Sequence, residues 1–215
     1  MASGFPASID NFTDPLSNSP LNSPSHSALH TDVNDAVEKL ETYMGLVKVI
    51  PTGATNGTVG ATGTVTIGSA VSSVAVAGAF SSLYENYLII MSSPTFSADA
   101  AISIILGASV TGYYGFLTLG DATTSTVQGA GRNNTAQLNW VGGGRSGQVG
   151  QARVEVIGPF IAQHTKFLNG AYQNGNLYGT MQGEHRVSTS YTGFTLFPDS
   201  GTLTGGTITV YGYRQ

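Results

Sequence analysis

Beyond residue 49 the chain reads as one short strand pattern after another, each cut off by Gly, Asn, Asp or Pro, and this limits the fold more than any other feature. The clearest segments are TVTIG, VSSVAVA, NYLIIMSS, AISIILG, YYGFLTLG, AQLNWVG, ARVEVIG, TKFLNGAY, HRVSTSY, GFTLFP and TITVYGYR. In the last, Ile208 and Val210 alternate with Thr207, Thr209, Tyr211 and Tyr213, the period of a half-buried strand. No apolar stripe of helical period of comparable quality follows Leu46. Parallel strands need long crossovers, commonly helices, and the sequence offers none. The pattern predicts a mainly β fold, with an antiparallel, jelly-roll-like β-sandwich over residues 62–215.

Composition bounds what such a domain can do. Charged residues are only 9% of the chain, against roughly 25% in an average soluble protein, while 40% are hydrophobic, enough for a core. Net charge is −4 and no Lys/Arg cluster occurs, which disfavours capture of nucleic acid or of an anionic membrane. With 0 Cys, disulfides, thiolate metal sites and Cys nucleophiles are excluded. MASGFPASIDNF has neither the basic start nor the apolar core of a secretory signal. Residues 49–83 carry no charge, but Gly, Ser, Thr and Asn interrupt them throughout, so no membrane-inserted helix is expected.

The scarce charge is unevenly placed. Asp32, Asp35, Glu38, Lys39 and Glu41 crowd one short helical pattern, whereas residues 49–152 hold only five charges, Glu85, Asp99, Asp121, Arg132 and Arg145. The helix is expected over residues 31–46, capped by Thr31 or Asp32, with Asp35 and Lys39 paired one turn apart and Gly45 as its left-handed terminator. Val33, Ala36, Val37, Leu40, Tyr43 and Met44 form its apolar stripe, with Val33 and Leu40 at a and Ala36 and Tyr43 at d of a heptad. A lone helix of this length is marginal in water, so the stripe docks on the β-domain or on copies of itself. Ahead of it, residues 1–30 carry Pro6, Pro15, Pro20 and Pro24 and form an extended arm without a core. Residues 47–61 read as a turn-rich linker.

Motifs for chemistry are sparse. GGGRSG, residues 142–147, matches G-x-G-x-x-G, but a strand pattern rather than a helix follows it, so a glycine-rich β-loop is expected. His26 and His30 are one helical turn apart without an obvious third ligand, and polar contacts at the helix entry are the simpler reading. His164 and His185 flank strand patterns with no adjacent nucleophile. Glu85, Asp99, Asp121, Glu155, Glu184 and Asp199 are isolated in sequence, so no acid–base pair stands out. No catalytic residue, cofactor or metal ligand is assigned, and an enzyme is not expected. Binding chemistry is better represented. NGAYQNGNLYGTMQGEH interleaves Tyr172 and Tyr178 with Gln173 and Asn174, and Trp140 lies near further amides. Flat amphipathic rings beside adaptable amides suit a neutral glycan, although strand aromatics also fill cores and subunit contacts.

FPASIDNFTDP, followed by SPSHSALHTDVNDAVEKLETYMGL, resembles the N-terminal module of bacteriophage virion proteins described as minor tail proteins, tail fibres or head fibres. GFTLFPDSGTLTGGTITVYGYR resembles the closing strands of jelly-roll domains on phage appendages, and YENYLIIMSS an early strand of them. The resemblance implies a virion protein, made in the host cytoplasm and carried on the particle surface. Its arm, with Phe5, Pro6, Ile9, Phe12, Pro15 and Leu21, would grip other virion proteins of the tail or capsid, and its helix would join copies as a homotrimer. The β-domain would face outward, towards a host cell-surface glycan. A tail-associated protein and a capsid decoration or head-fibre protein both fit this pattern, and the absence of long shaft repeats favours a short appendage.

Overall fold

The computed structural model describes residues 30–31, 33–38 and 45–213. Two compact units divide the chain, Met1–Leu46 with Arg214–Gln215, and Val47–Tyr213. In the first, residues 30–31 and 33–38 are helical, so the helix includes His30, one residue ahead of the expected start. Val33 and Val37 are 49% and 47% exposed and Ala36 is half-buried. Gly45 adopts φ 73°, the left-handed conformation expected of it. The arm residues Phe5, Pro6, Ile9, Phe12, Pro15 and Leu21, together with His26, Leu40, Tyr43 and Met44, lie outside the described residues.

The second unit is built from strands β1 Leu46–Lys48, β2 Gly53–Thr55, β3 Gly57–Val59, β4 Val65–Ile67, β5 Val74–Ala77, β6 Asn86–Phe96, β7 Ala100–Leu106 and β8 Tyr113–Asp121. They continue as β9 Thr126–Thr135, β10 Leu138–Gly144, β11 Val149–Ile157, β12 Thr165–Asn174, β13 Leu177–His185, β14 Phe194–Pro198, β15 Leu203–Thr204 and β16 Thr207–Tyr213. The fold is mainly β, and β6 to β14 and β16 pair antiparallel, as the absence of helical crossovers requires.

Three pairings are nested: β6 with β16, β7 with β14, and β8 with β13. This is the pairing of a long hairpin rolled on itself, the organising feature of a jelly roll. One layer runs β16-β6-β11-β12-β13-β8-β9, and the other β10-β7-β14-β5-β2. Ile89, Met91, Val154, Val156, Phe167 and Met181 from the first meet Ile102, Ile104, Phe194 and Leu196 from the second in one core.

The layers meet at a glycine run. Gly142 and Gly143 pair with Ala152 and Gln151 of β11, and with Ile102 and Ala101 of β7. A Cβ on Gly143 would stand 1.8 Å from the Gln173 carbonyl oxygen and 2.6 Å from that of Ala100. Only a residue without a side chain lets three backbones converge so closely. The expected glycine-rich loop is therefore a buried strand, and only residues 145–148 form the turn.

Three other expectations are corrected. Residues 47–61 are no linker: β1 pairs with β16, β2 with β5 and β3 with β4, so the sandwich begins before residue 62. HRVSTSY is not a strand beyond His185; it connects β13 to β14 and buries Tyr191 against the His185 ring at 5.4 Å. The Tyr/Asn-rich stretch continues the expected strand TKFLNGAY into a hairpin, a return strand that was not expected, with β12 and β13 paired from Thr165↔His185 to Asn174↔Leu177.

Candidate binding surface

Strand register sorts the expected contact residues onto two faces. Tyr172 is directly opposite Gly179 and is only 7% exposed, so it points into the core. Its hydroxyl is pushed up in pKa by burial, an effect opposed by a hydrogen bond with the Asn174 side chain. Trp140 is 8% exposed and adopts φ 72°, rare for a bulky residue, where the β10–β7 register shifts. The Arg132 guanidinium lies 4.4 Å from its ring centroid and donates from Nε to Asn139 Oδ1 at 3.3 Å. Neither Trp140 nor Tyr172 is presented as a ligand contact. Both are packing residues, and the reason is the layer crossing that turns β10 inward.

Tyr178 behaves differently. It is 50% exposed and stands opposite Gln173 on β12 and Gly120 on β8, with no side chain on Gly120 to cover it. Along β13, Thr180, Gln182 and Glu184 share its face; along β8, Tyr114, Phe116 and Thr118 are opposite Glu184, Gln182 and Thr180. Phe116 is 53% exposed, and its neighbour on β9 is Gly131. Tyr114, Phe116, Lys166, Leu168, Gln182 and Glu184 line an open groove of about 430 Å³ on this outer face.

Charge fixes one end of the groove. Glu184 accepts a hydrogen bond from Arg186 Nε and lies 3.7 Å from Lys166 Nζ. The Arg186 hydrogen bond is the main cause that holds the Glu184 carboxyl below its ordinary pKa. Arg186 also places its guanidinium 4.0 Å from the Tyr114 ring centroid. The result is a fixed ring, a free ring (Phe116), an amide (Gln182) and a tethered carboxylate within one shallow site. Such a set can stack on a sugar face and hydrogen-bond its hydroxyls.

Four other carboxylates hold turns and strands in place. Asp99 Oδ1 accepts from Ser146 N at 2.7 Å, Asp121 Oδ1 from Thr123 N at 2.8 Å, and Asp199 Oδ1 from Ala101 N at 3.0 Å. Glu155 Oε1 accepts from Asn169 Nδ2 at 3.3 Å and lies 3.9 Å from Arg153.

His185 has a neighbouring hydroxyl that sequence reading missed. Ser109 Oγ is 2.8 Å from its Nε2, and the Thr111 carbonyl is 3.1 Å from the same nitrogen. A carbonyl only accepts, so the Thr111 contact favours the tautomer with the proton on Nε2. The two contacts tie the His185 ring to the β7–β8 turn.

Phe116 and Gln182 were legible in principle. In YYGFLTLGD, Tyr113, Leu117 and Leu119 are the inward positions, so period two places Tyr114, Phe116 and Thr118 on the other face. An exposed Phe on a polar face is the signal. Among known proteins, the chain matches no protein-family model, and no curated protein matches it either.

Proposed function

We propose that this chain is a non-enzymatic structural protein of a bacteriophage particle, tail-associated, that presents the outer face of β12, β13 and β8 to the host surface. The particle assignment rests on the sequence resemblance of residues 5–46 and 193–214. The observation that carries the contact role is the groove beside exposed Phe116 and Tyr178, two rings held in the open on a rigid sheet among amides and hydroxyls.

Topology supports a display role. β16 runs from Thr207, opposite Ser92, to Gly212, opposite Tyr87, so it ends beside the start of β6. β4 occupies Thr207 and Ile208 on the other edge of β16, and Val49 N donates to Val210 O at 2.8 Å. β1 therefore takes the part of that edge nearer Tyr213. Both ends of the Val47–Tyr213 unit thus leave from one end of the sandwich. The turns at residues 97–99, 122–125, 145–148, 175–176 and 199–202 gather at the opposite end. A domain tethered at one end leaves its other end and its outer faces free to meet a surface.

Electron microscopy of purified particles with gold-labelled antibody against residues 86–213 tests the assignment. Gold at the tail supports it. Gold spread over the head supports a capsid decoration instead, and particles without gold, given an accessible epitope, oppose a virion protein altogether.

A further inference from the structure

We propose that the free edge of β9 is where a second copy of this chain docks, strand against strand. Among the described residues β9 has one neighbour, β8, with a regular ladder from Asp121↔Thr126 to Gly115↔Arg132. Alternate backbone N–H and C=O groups on its other side face outward, a template for another strand. At 10 residues it is long for an edge, where strands commonly run about 5–6.

Edge strands are usually guarded by Lys, acids, Pro or brevity. β9, TVQGAGRNNT, has no Lys, no acid and no Pro. Its one charge, Arg132, stacks on Trp140 and otherwise reaches only the Gly131 carbonyl, at 3.3 Å, and Asn139. Arg132 and the register shift between Arg132 and Thr135 guard the C-terminal end of the edge, and residues 126–130 carry no such guard.

Two glycines point the same way. Gly143 cannot carry a side chain, but Gly129 and Gly131 can: a Cβ would meet its nearest heavy atom at 3.7 Å and 4.0 Å, ordinary contact distances. Neither has a positive φ. Nothing among the described residues requires glycine at these positions, although glycine weakens a strand. A smooth strip beside an open edge is what close approach by an outside strand requires. Val127, 79% exposed on the same face, supplies apolar surface to bury.

The occupant that fits is the chain itself. With a net charge of −4, copies repel one another, and an acid-free approach surface minimises that cost. Residues 122–154, which include all of β9, contain no acid. Antiparallel self-pairing centred on Gly129 sets Gly129 against itself and Val127 against Gly131 of the other copy. Each valine then fills the space that Gly131 leaves open, next to Phe116. This contact is two-fold and distinct from the three-fold helix contact that the family resemblance implies; a trimer would offer three such edges to its neighbours. It adjoins the host-contact face proposed above at Phe116, opposite Gly131, but its test does not depend on host binding.

Hydrogen–deuterium exchange on the full chain, at about 1 µM and about 100 µM, reads the edge directly. The outward amides of residues 126–132 should exchange about tenfold more slowly at the higher concentration, with a matching rise in mass by sedimentation. Val127→Glu, at an exposed position, should keep the thermal midpoint and abolish both effects; Gly131→Glu should do the same. Exchange that is equal at both concentrations overturns the proposal. So does protection that survives both substitutions, or protection that appears only when an unrelated protein is added.

Discussion

Thr165 and His185 stand directly opposite one another on β12 and β13, both fully buried, and Thr165 Oγ1 and His185 Nδ1 each lack a hydrogen-bond partner among the described residues. The sandwich therefore contains a polar pair on its inward face, beneath the latch that His185 Nε2 makes to Ser109 and Thr111. A buried unpaired hydroxyl costs about 1–3 kcal/mol relative to an apolar group of the same shape. Thr165→Val keeps that shape, so the variant should match or exceed the wild type in stability, by up to about 1 kcal/mol, in urea denaturation. A loss of stability would mean that the hydroxyl has a partner in solution.

The same imidazole sets a pH dependence. Burial pushes the His185 pKa down, opposed by its hydrogen bond to the Thr111 carbonyl and reinforced by His164; the Tyr113 and Tyr191 rings enclose it at 4.2 Å and 5.4 Å. Its folded pKa thus lies below the unfolded value of about 6.5, and the unfolded chain binds more protons between the two. The contribution to stability is present above pH ~6.5 and is lost as pH falls through the folded pKa. Denaturation midpoints at pH 7.5 and pH 5 should show this drop, and His185→Gln should flatten it. Glu184, also depressed, acts only in the more acidic carboxylate range.

Backbone convergence at the layer crossing leaves no room for a methyl group. Gly143→Ala places its Cβ against two carbonyl oxygens that belong to packed strands, so the variant should lose about 3 kcal/mol or more, or fail to fold. Gly147→Ala, in the following turn, meets nothing within 4 Å and suffers only from its φ of 68°, a cost of about 1 kcal/mol. Thermal midpoints of the two variants should differ accordingly.

Two aromatic residues separate packing from binding. Trp140→Ala empties a buried site and releases Arg132, so it should destabilise the domain by about 3 kcal/mol or more. Tyr178→Ala removes an exposed ring and should change stability by less than about 0.5 kcal/mol. Near-UV circular dichroism and melting of both variants check this division.

The strands that sequence revealed are those whose inward positions are apolar. NYLIIMSS and TITVYGYR declare themselves because Tyr87, Ile89 and Met91, and Ile208 and Val210, recur at period two. β9 was invisible because its inward side carries Gln128 and Ala130 rather than large apolar groups, opposite Leu119 and Leu117. β13 was hidden for a similar reason: between Leu177 and His185 only Met181 is a large inward apolar residue. Of the expected contact residues, Tyr178 and Gln173 lie on the outer face, while Trp140 and Tyr172 turn inward. Local sequence could not distinguish these cases. The inward turn of Trp140 depends on the crossing of β10 over β12, where Gly170 approaches the Trp140 carbonyl, and that is set by glycines distant in sequence. The short helix was legible because its charge pattern is a local signal, but its cap was misplaced: His30 and Thr31 are already helical, so the helix begins ahead of the expected cap at Thr31 or Asp32.

The central claim is that the outer face of β12, β13 and β8 meets the host. Its most direct test is binding of the purified full-length chain to host cells, compared among wild type, Phe116→Ala, Tyr178→Ala and a control at the far edge, Ala61→Ser. Loss of one ring contact of about 1–2 kcal/mol weakens binding roughly five- to thirtyfold. That loss is expected for Phe116→Ala and Tyr178→Ala, with unchanged melting, and none for the control. Wild-type binding by both folded variants would contradict it.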